Sequence, residues 1–307
     1  MYNFSELNGE NASQYTHLTY PSYVKFLENL TGDSSTVAIG AELDTSPVGL
    51  ILAYYVSSSD NSDQAYGQIL SLFVVPEHRH QGLGKELLRR METALKMKRC
   101  AEVELRYLSS PSTIALEEVL AQQNWSSPKT TALICYGSKI NVDQTKSRHL
   151  VKYIDKLTAK LPQDYEIFFW KDLRLRERQI IEAQMETDSL VRRFNPFVEE
   201  NELEPSNSLG LRYRDRVVGW VITHRIAPDT IRYTQMFVHP ENQPLSRSTL
   251  LLAKAIHFQY QGATTKATFR VAIDNEPMVK FVHRRLAPYL YEIREARLVT
   301  KLLDTNH

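Results

Sequence analysis

The sequence contains few of the residues that mark secreted, metal-binding or membrane proteins. Its 307 residues include two cysteines, Cys100 and Cys135, and neither has a histidine or second cysteine nearby at metal-ligand spacing. We therefore expect two buried thiols in a reducing compartment and no metal. No window approaches the roughly 18 apolar residues of a membrane span, and the first residues lack the basic start and apolar run of a signal peptide. These absences predict a cytoplasmic protein with no membrane partner.

Neither basic nor acidic residues are in clear excess. Lys plus Arg number 37 and Asp plus Glu number 36, so the formal net charge is +1. Proteins that hold a phosphate backbone non-specifically are strongly basic, so nucleic acid is not an expected partner. The oligomeric state cannot be predicted from these features.

The first half of the chain alternates between strand and helix patterns. The runs "TVAIGAEL" and "PVGLILAYYV" around the turn formers "DTSP" predict a hairpin, and "YGQILSLFVV" predicts a strand buried on both faces. Apolar residues at helical spacing over 83–97 predict an amphipathic helix. The segments "AEVELRYL", "STIALEEVLAQQ" and "TTALICYGSKI" then predict strand, helix and strand.

The second half repeats this plan. The segment "LFVVPEHRHQGLGKELL" at residue 72 corresponds to "MFVHPENQPLSRSTLLL" at residue 236, and four identical residues recur at a spacing of 164. Such a repeat indicates an internal duplication. We therefore predict one domain over 1–138, a partly helical linker over 139–163 and a second domain over 164–307.

The glycines supply the first chemical signal. Only Gly82 and Gly84, of 11 glycines, stand within two residues of each other, between the buried strand and the amphipathic helix. The first amides of a helix lack intrahelical acceptors and attract anions, and glycine lets a phosphate approach them closely. A Walker loop would need Ser or Thr after Lys85, and a dinucleotide fingerprint would need a glycine at Leu87. A simple solvated turn is the remaining alternative.

The segment Arg79-His80-Gln81-Gly82-Leu83-Gly84 resembles the acetyl-CoA loop of the GCN5-related N-acetyltransferases (GNATs). The family pattern there is Arg or Gln, any two residues, Gly, any residue, then Gly or Ala, and the order of elements over 36–138 is similar to the family's. The resemblance implies that the pantetheine arm of acetyl-CoA pairs with the backbone of Leu72, Phe73 and Val74 like an added strand. The residues that it assigns to the pyrophosphate and its rim are Arg79, His80, Gln81, Gly82, Leu83, Gly84 and Lys85.

The resemblance also suggests which residues move protons. An alkylammonium has a pKa near ~10.4, so acetyl transfer to an amine needs a base or a water wire, and a donor for the leaving thiolate. In "VELR", Glu104 matches a glutamate that serves as base in some GNATs, and we predict that role for it. The alternative for Glu104 is an ion pair with Arg106.

The usual acid of the family is missing from this sequence. GNATs often place a tyrosine on the helix after the fifth strand, where Leu120 stands here. We take Tyr107 as the candidate acid, with Tyr54 or Tyr55 as substitutes. Packing is the alternative role for each of these tyrosines.

The second half resembles a degenerate copy of the GNAT domain. Gln243, Ser246 and Ser248 stand where Arg79 and the two glycines stand in the first half, and Pro244 and Arg247 add bulk. The segment "IDNEPMVKFVHRRL" resembles the "NxxMxxxN" helix of tandem acetyltransferases, although Val282 replaces a polar residue. In "VRRFNPFVEENELEP", at the family's acceptor-contacting position, Arg192 and Arg193 are either readers of an acidic acceptor or solvated charges.

These features predict an α/β (α+β) chain of two tandem GNAT-like domains, each a mixed, mostly antiparallel sheet flanked by helices and containing a splayed central strand pair. The implied activity is transfer of an acetyl group from acetyl-CoA, as co-substrate and without a metal, to a primary amine on a small molecule or peptide. A non-catalytic acyl-CoA-binding or regulatory module is the main alternative, and a structural pseudo-enzyme the third.

Overall fold

The computed structural model describes residues 1–31, 35–57, 65–139, 161–242 and 246–303. Its contacts divide the chain into two compact units, one formed by Met1–Thr131 with Glu295–His307 and the other by Ala132–Arg294. The predicted linker at 139–163 lies mostly outside the described residues.

The strands are named here in chain order. They are β1 (Asn3–Glu6), β2 (Thr36–Leu43), β3 (Ser46–Ser57), β4 (Ala65–Val74), β5 (Cys100–Leu108), β6 (Lys129–Ser138), β7 (Tyr165–Phe169), β8 (Leu209–Tyr213), β9 (Arg216–Ala227), β10 (Thr230–Val238), β11 (Lys266–Ala272) and β12 (Leu290–Leu302). The α-helices of the described residues are α1 (Val24–Glu28), α2 (Leu83–Met97), α3 (Ile114–Gln122), α4 (Leu175–Thr187), α5 (Ser189–Arg193), α6 (Ser246–Gln261) and α7 (Glu276–Phe281).

The sheet of the first unit has the strand order β1-β2-β3-β4-β5-β12. Only β4 and β5 run parallel in it, and the other described pairs are antiparallel. The turn between β2 and β3 consists of Asp44 and Thr45, both with positive φ (47° and 67°), which suits a tight hairpin with the twist of its strands. The predicted hairpin is present, and Ser46 and Pro47 belong to its second strand.

Two apolar layers cover this sheet. On one face α2 buries Leu83, Leu87, Leu88, Met91 and Leu95, the residues whose spacing predicts the helix, against β2 to β5. On the other face, α1 and the 3₁₀ turn Ala12–Leu18 bury a smaller cluster. Because side chains alternate along a strand, successive residues of β4 and β5 point to different layers.

The second unit repeats this architecture. Its strand order is β6-β11-β10-β9-β8-β7, with only β10 and β11 parallel among the described pairs. Helix α6 packs on one face of its sheet, and α4 and α5 pack on the other. The fold is therefore a mixed α/β sheet flanked by helices in each unit, as the sequence predicts.

Each unit contains a strand from the other half of the chain. Residues 296–302 of β12 pair with 102–108 of β5 in the first unit, and residues 132–138 of β6 pair with 266–272 of β11 in the second. The contact-defined units thus differ from the sequence-based bounds 1–138 and 164–307. No sequence pattern predicted β12, which completes the first unit's sheet.

Candidate functional site

The central strands of the first unit separate halfway along their length. β4 and β5 pair in parallel from Ala65 opposite Cys100 to Ile69 opposite Leu105, and no described pair follows, although β4 continues to Val74 and β5 to Leu108. The separation begins where the pairing of β4 with β3 is irregular, with Leu70 as an extra residue. A β-bulge bends its strand and increases the local twist, which accounts for the split.

The split leaves one edge of β4 without a paired strand among the described residues after Ile69. The N–H of Val75 donates to the carbonyl of Val48 on β3 at 2.9 Å. Since N–H and C=O groups alternate between the two edges of a strand, those of Leu72 and Val74 point to the open side and those of Phe73 point to β3. The open edge can therefore accept an extended, amide-containing chain as an added strand.

Arg79 lies at the end of this open edge. Its Nε donates to the carbonyl of Val74 at 2.9 Å, and its guanidinium carbon lies 5.6 Å from the centre of the Phe73 ring. Arg79 thus joins the loop to β4. The Phe73 ring lies beside the Arg79 guanidinium, and the Phe73 backbone groups point to β3.

The loop after β4 leaves the start of α2 open. Gly82 precedes the helix with φ of +84°, and an added Cβ at Gly82 or Gly84 would meet no heavy atom within 4 Å. No side chain of the described residues caps the helix start. A phosphate could therefore approach the amides of this turn without displacing protein atoms, so the residues present fit the diphosphate of a coenzyme A thioester.

Side chains from elsewhere hold this loop. The Tyr2 hydroxyl donates to Gln81 Oε1 at 2.7 Å and lies 3.0 Å from His78 Nδ1. His80 is exposed and has a left-handed backbone conformation with φ of 58°. Tyr2 carries no sequence signal for this role, because nothing local connects residue 2 to residue 81.

Lys85 links the first turn of α2 to α3. Its Nζ donates to Gln122 Oε1 at 3.2 Å, and its backbone carbonyl accepts from Gln123 Nε2 at 2.8 Å. Leu83 is buried beneath the turn. The loop is thus anchored by its flanks and open only in its middle.

Glu104 lies one residue before the split, opposite Gln68 of β4. Its side chain is 8% exposed and accepts hydrogen bonds from Arg106 Nε at 2.8 Å and Nη2 at 2.9 Å. Burial raises the pKa of this carboxyl, but hydrogen bonds from Arg106 and the Tyr66 hydroxyl outweigh burial and lower the pKa overall. The ion pair between Glu104 and Arg106, which the sequence offers as the alternative role of Glu104, is therefore present. Glu104 is ionised at neutral pH.

Tyr107 lies beyond the split on the opposite face of β5, packed against the α2 layer. Its hydroxyl donates to Glu117 Oε1 of α3 at 3.0 Å, and Glu117 also accepts from Arg297 Nη1 of β12 at 2.6 Å. Burial and Glu117 both raise the pKa of Tyr107. The structure thus places Glu104 and Tyr107 on opposite faces of one strand, on either side of the point where β4 and β5 part.

The alternative tyrosines and the position of the family acid are packing sites. Leu120 is buried in the α2 layer. The Tyr54 ring packs edge-on against Phe26 with centroids 6.0 Å apart, and Tyr55 packs against the α2 layer.

The corresponding loop of the second unit is only partly described, since Gln243 and Pro244 lie outside the described residues. Ser246 begins α6, and the Arg247 guanidinium carbon lies 3.8 Å from the centre of the Tyr165 ring. Arg247 Nη1 also donates to the Asn242 carbonyl at 2.8 Å. Arg247 is thus engaged by its own unit.

The other candidates of the second unit separate into two groups. Arg192 Nε donates to the Met185 carbonyl at 2.7 Å, and its Nη2 donates to the carbonyl of Glu186, so it caps α4. Asn275 caps α7, and Val282 is buried. Arg193 is exposed and borders a cavity.

Two further findings concern the described residues only. They contain no group of three or more His, Cys, Asp or Glu side chains placed to hold a metal ion. None of their helices combines the length and apolarity that crossing a membrane requires. Cys100 and Cys135 are buried, and burial raises the pKa of each thiol to about 11.

Comparison with known proteins supports one assignment. Residues 3–116 match the family model described as "Acetyltransferase (GNAT) family". A tandem GNAT protein from the clavulanic acid biosynthesis pathway is 15% identical, with a TM-score of 0.61 and coverage of 100% of both chains. A GCN5-related N-acetyltransferase from Sphaerobacter thermophilus is 14% identical, with a TM-score of 0.58 and coverage of 98% of this chain and 96% of that one.

A third similar structure is a glucosamine N-acetyltransferase region of a fungal multi-domain β-N-acetylglucosaminidase. It is 13% identical, with a TM-score of 0.57 and coverage of 98% of this chain and 38% of that one. A sequence comparison with curated proteins gives no match. Residues 3–116 thus match the GNAT family, and along its length the chain has the fold of tandem GNAT proteins.

Proposed function

We propose that the protein is an N-acetyltransferase that moves an acetyl group from acetyl-CoA to a primary amine, with the chemistry in the first unit. The observation that carries this proposal is the split between β4 and β5 directly beside the open turn at Gly82 and Gly84. A closed sheet or a filled turn would leave no place for a thioester carrier. Acetyl-CoA supplies the activated acyl group as a co-substrate.

In this proposal the loop and β4 bind and orient the thioester. Amides of the segment from Gln81 to Lys85 hold the diphosphate, with Arg79 and His80 at its rim. The open-edge groups of Leu72 pair with the pantetheine amides, while the carbonyl of Val74 accepts from Arg79, which the Phe73 ring supports. The N–H of Val74 points to the open side, where it would donate to the oxyanion that forms when the amine attacks.

Glu104 is proposed as the base. Its lowered pKa makes it too weak to deprotonate a free ammonium efficiently. The amine therefore attacks in its neutral form, after it has lost the ammonium proton to solvent. Its nitrogen becomes far more acidic once its bond to the carbonyl carbon forms, and an ionised carboxylate can accept the proton released then. Glu104 would take that proton directly or through a water.

Tyr107 is proposed to assist departure of the thiolate. A phenol with a raised pKa is a weak acid towards a thiolate, whose conjugate thiol has a pKa of about 8.5. We therefore assign Tyr107 a hydrogen bond to the leaving sulfur, formed when its hydroxyl turns from Glu117.

The binding step is tested by calorimetry with coenzyme A. The change Gly82→Glu places a carboxylate in the open turn and should abolish binding. Ala263→Glu, which adds the same charge at an exposed residue of the second unit, should bind as the unaltered protein does. Unchanged affinity in Gly82→Glu would refute the assignment of the loop.

The chemical step is tested by thiol release with acetyl-CoA and a panel of amines. The panel contains a polyamine, a lysine-containing peptide and glucosamine, which is included because of the fungal structure above. Thiol release above the rate without amine supports the proposal, and mass spectrometry of the product would identify the acetylated amine.

A non-catalytic acyl-CoA-binding module is the second candidate. The pairing of Glu104 with Arg106 and of Tyr107 with Glu117 favours it, because both proton-transfer candidates already have partners. Coenzyme A binding that is lost in Gly82→Glu, together with thiol release no faster than background for every amine, would establish this candidate.

A further inference from the structure

A cavity lies in the second unit, at a split of its own central strands. β10 and β11 pair in parallel only from Thr230 opposite Lys266 to Tyr233 opposite Phe269, and the pairing of β10 with β9 is irregular at Thr234. Beyond this point opens a cavity of about 320 Å³. Ligand pockets range from roughly 300 to 1,000 Å³, so this one suits a small molecule.

The cavity has an apolar lining from both strands and from the helices above them. Met236 of β10, Val271 of β11, and Leu252 and Ile256 of α6 contribute to it. The Tyr233 hydroxyl at its base already donates to Gln259 Oε1 at 2.9 Å. The lining therefore favours an apolar body over a strongly polar one.

The charged residues that line the cavity are all basic. Among the described lining residues there is no Asp or Glu, and the three charged ones are Lys139, Arg193 and Arg270. Lys139 Nζ donates to the Gly262 carbonyl at 2.6 Å. Arg193 and Arg270 are exposed, and within the described chain neither forms an ion pair or a side-chain hydrogen bond, although the Arg193 guanidinium lies 5.8 Å from the Phe194 ring centre.

The position of Arg270 connects these cations to the split. Arg270 is the first residue of β11 after the last described pair with β10, and its neighbours Phe269 and Val271 point to the opposite face, into the apolar layer beside α7. Arg193 is the last residue of α5, which packs on the face of the sheet opposite α6. An apolar interior therefore ends at two guanidinium groups to which the described residues offer no anionic partner.

We propose that this cavity binds a small organic carboxylate, with its alkyl or aryl body among Met236, Leu252 and Val271 and its carboxylate on Arg193 and Arg270. Guanidinium groups bind carboxylates with short, charge-assisted hydrogen bonds, and an exposed rim keeps the carboxylate partly hydrated. The site is separate from the coenzyme A site proposed for the first unit and does not depend on it.

The experiment measures binding of octanoate to the full chain by calorimetry, with 1-octanol as the neutral probe of equal length. We expect one octanoate per chain and at least roughly tenfold weaker binding of octanol, as expected for loss of a charge-assisted hydrogen bond. Arg193→Gln and Arg270→Gln should each weaken octanoate binding by a similar factor and leave octanol unchanged. Arg216→Gln, at an exposed arginine outside the cavity, should change neither.

Two variants distinguish this cavity from the protein surface and from the coenzyme A site. Leu252→Trp should fill the cavity and abolish binding of both probes, with unfolding curves checking that the variant is folded. Gly82→Glu should bind octanoate normally. Equal affinity for octanoate and octanol, unaltered octanoate binding in both arginine variants, loss of octanoate binding in Gly82→Glu, or displacement of octanoate by coenzyme A in Gly82→Glu would each overturn the proposal.

Discussion

Glu104 and Arg106, two residues apart on β5, form a two-point ion pair beside the split, with nitrogen–oxygen distances of 2.8 and 2.9 Å. The carboxylate is nearly buried, whereas the guanidinium side chain is 53% exposed. Arg106 therefore tunes Glu104 from the solvent side, and it can be replaced without opening the core.

We expect Arg106→Gln to raise the pKa of Glu104, because burial would then be opposed mainly by the Tyr66 hydrogen bond. If Glu104 is the base, the acid limb of the pH profile of kcat/KM moves to higher pH. Arg89→Gln, at an exposed arginine of α2, should leave the profile in place. If the acid limb of the Arg106→Gln profile stays at the same pH, Glu104 is not the base.

The same pair predicts how stability depends on pH. A carboxyl whose pKa is lowered by folding stabilises the protein above its unfolded pKa, and this contribution is lost as pH falls through the folded pKa. Arg106→Gln should therefore destabilise the protein near pH 7 and have little effect at strongly acid pH. Chemical denaturation of both proteins at several pH values measures this, and a destabilisation that is the same at every pH would contradict it.

Gly82 and Gly84 should respond differently to alanine. Gly82 has a φ of +84°, so Gly82→Ala should lower the free energy of unfolding by about 1 kcal/mol through backbone strain alone. Gly84 lies inside α2 with open space around it, and Gly84→Ala should keep stability or raise it, since alanine favours helix.

Coenzyme A binding should also differ between the two variants. Gly82→Ala adds a Cβ where the diphosphate is proposed to lie and should bind coenzyme A more weakly. Gly84→Ala should bind as the parent does, because the loop pattern accepts alanine at that position. Denaturation and calorimetry on the same samples measure stability and affinity, and full affinity in Gly82→Ala would contradict the proposed place of the diphosphate.

β12 should stabilise the unit that contains β5. Val299 of β12 is fully buried in the α2 layer, whereas Leu302 is 77% exposed. We expect Val299→Ala to cost about 2 kcal/mol and to increase hydrogen exchange in β5, and Leu302→Ala to change stability by less than about 0.5 kcal/mol. If Val299→Ala increases hydrogen exchange in β9 but not in β5, then β12 stabilises the second unit and not the first.

The sequence predicts the elements better than their partners. The α2 pattern, the hairpin and the glycine loop depend on residues close together in the chain, and the structure has each of them. The pairing of residues 296–302 with β5, or the contact of Tyr2 with Gln81, joins residues far apart in the chain. No local spacing encodes such a partner, and for the same reason the sequence left open whether Glu104 pairs with Arg106.

The basic side chains of the cavity in the second unit likewise could not be predicted from local spacing. Arg192 and Arg193 are equivalent candidates in the sequence, but one caps the end of α4 and the other lines the cavity. The turn between α4 and α5 decides which of two adjacent side chains is available. Arg270 carries no motif at all and gains its place from the register of β11.

Tyr107→Phe tests the assignment with the least support from the sequence. Removing the hydroxyl leaves Glu117 paired with Arg297, so the loss of stability should be near 1 kcal/mol and the fold should persist. If Tyr107 donates a hydrogen bond to the leaving thiolate, kcat should fall by roughly 10- to 100-fold, as expected for loss of a hydrogen bond to a charged group, while KM for acetyl-CoA stays constant. Tyr54→Phe, a packing tyrosine of β3, should keep its kcat. A Tyr107→Phe enzyme with normal kcat would restrict Tyr107 to holding α3 against β5, and departure of the thiolate would then need no protein donor at this position.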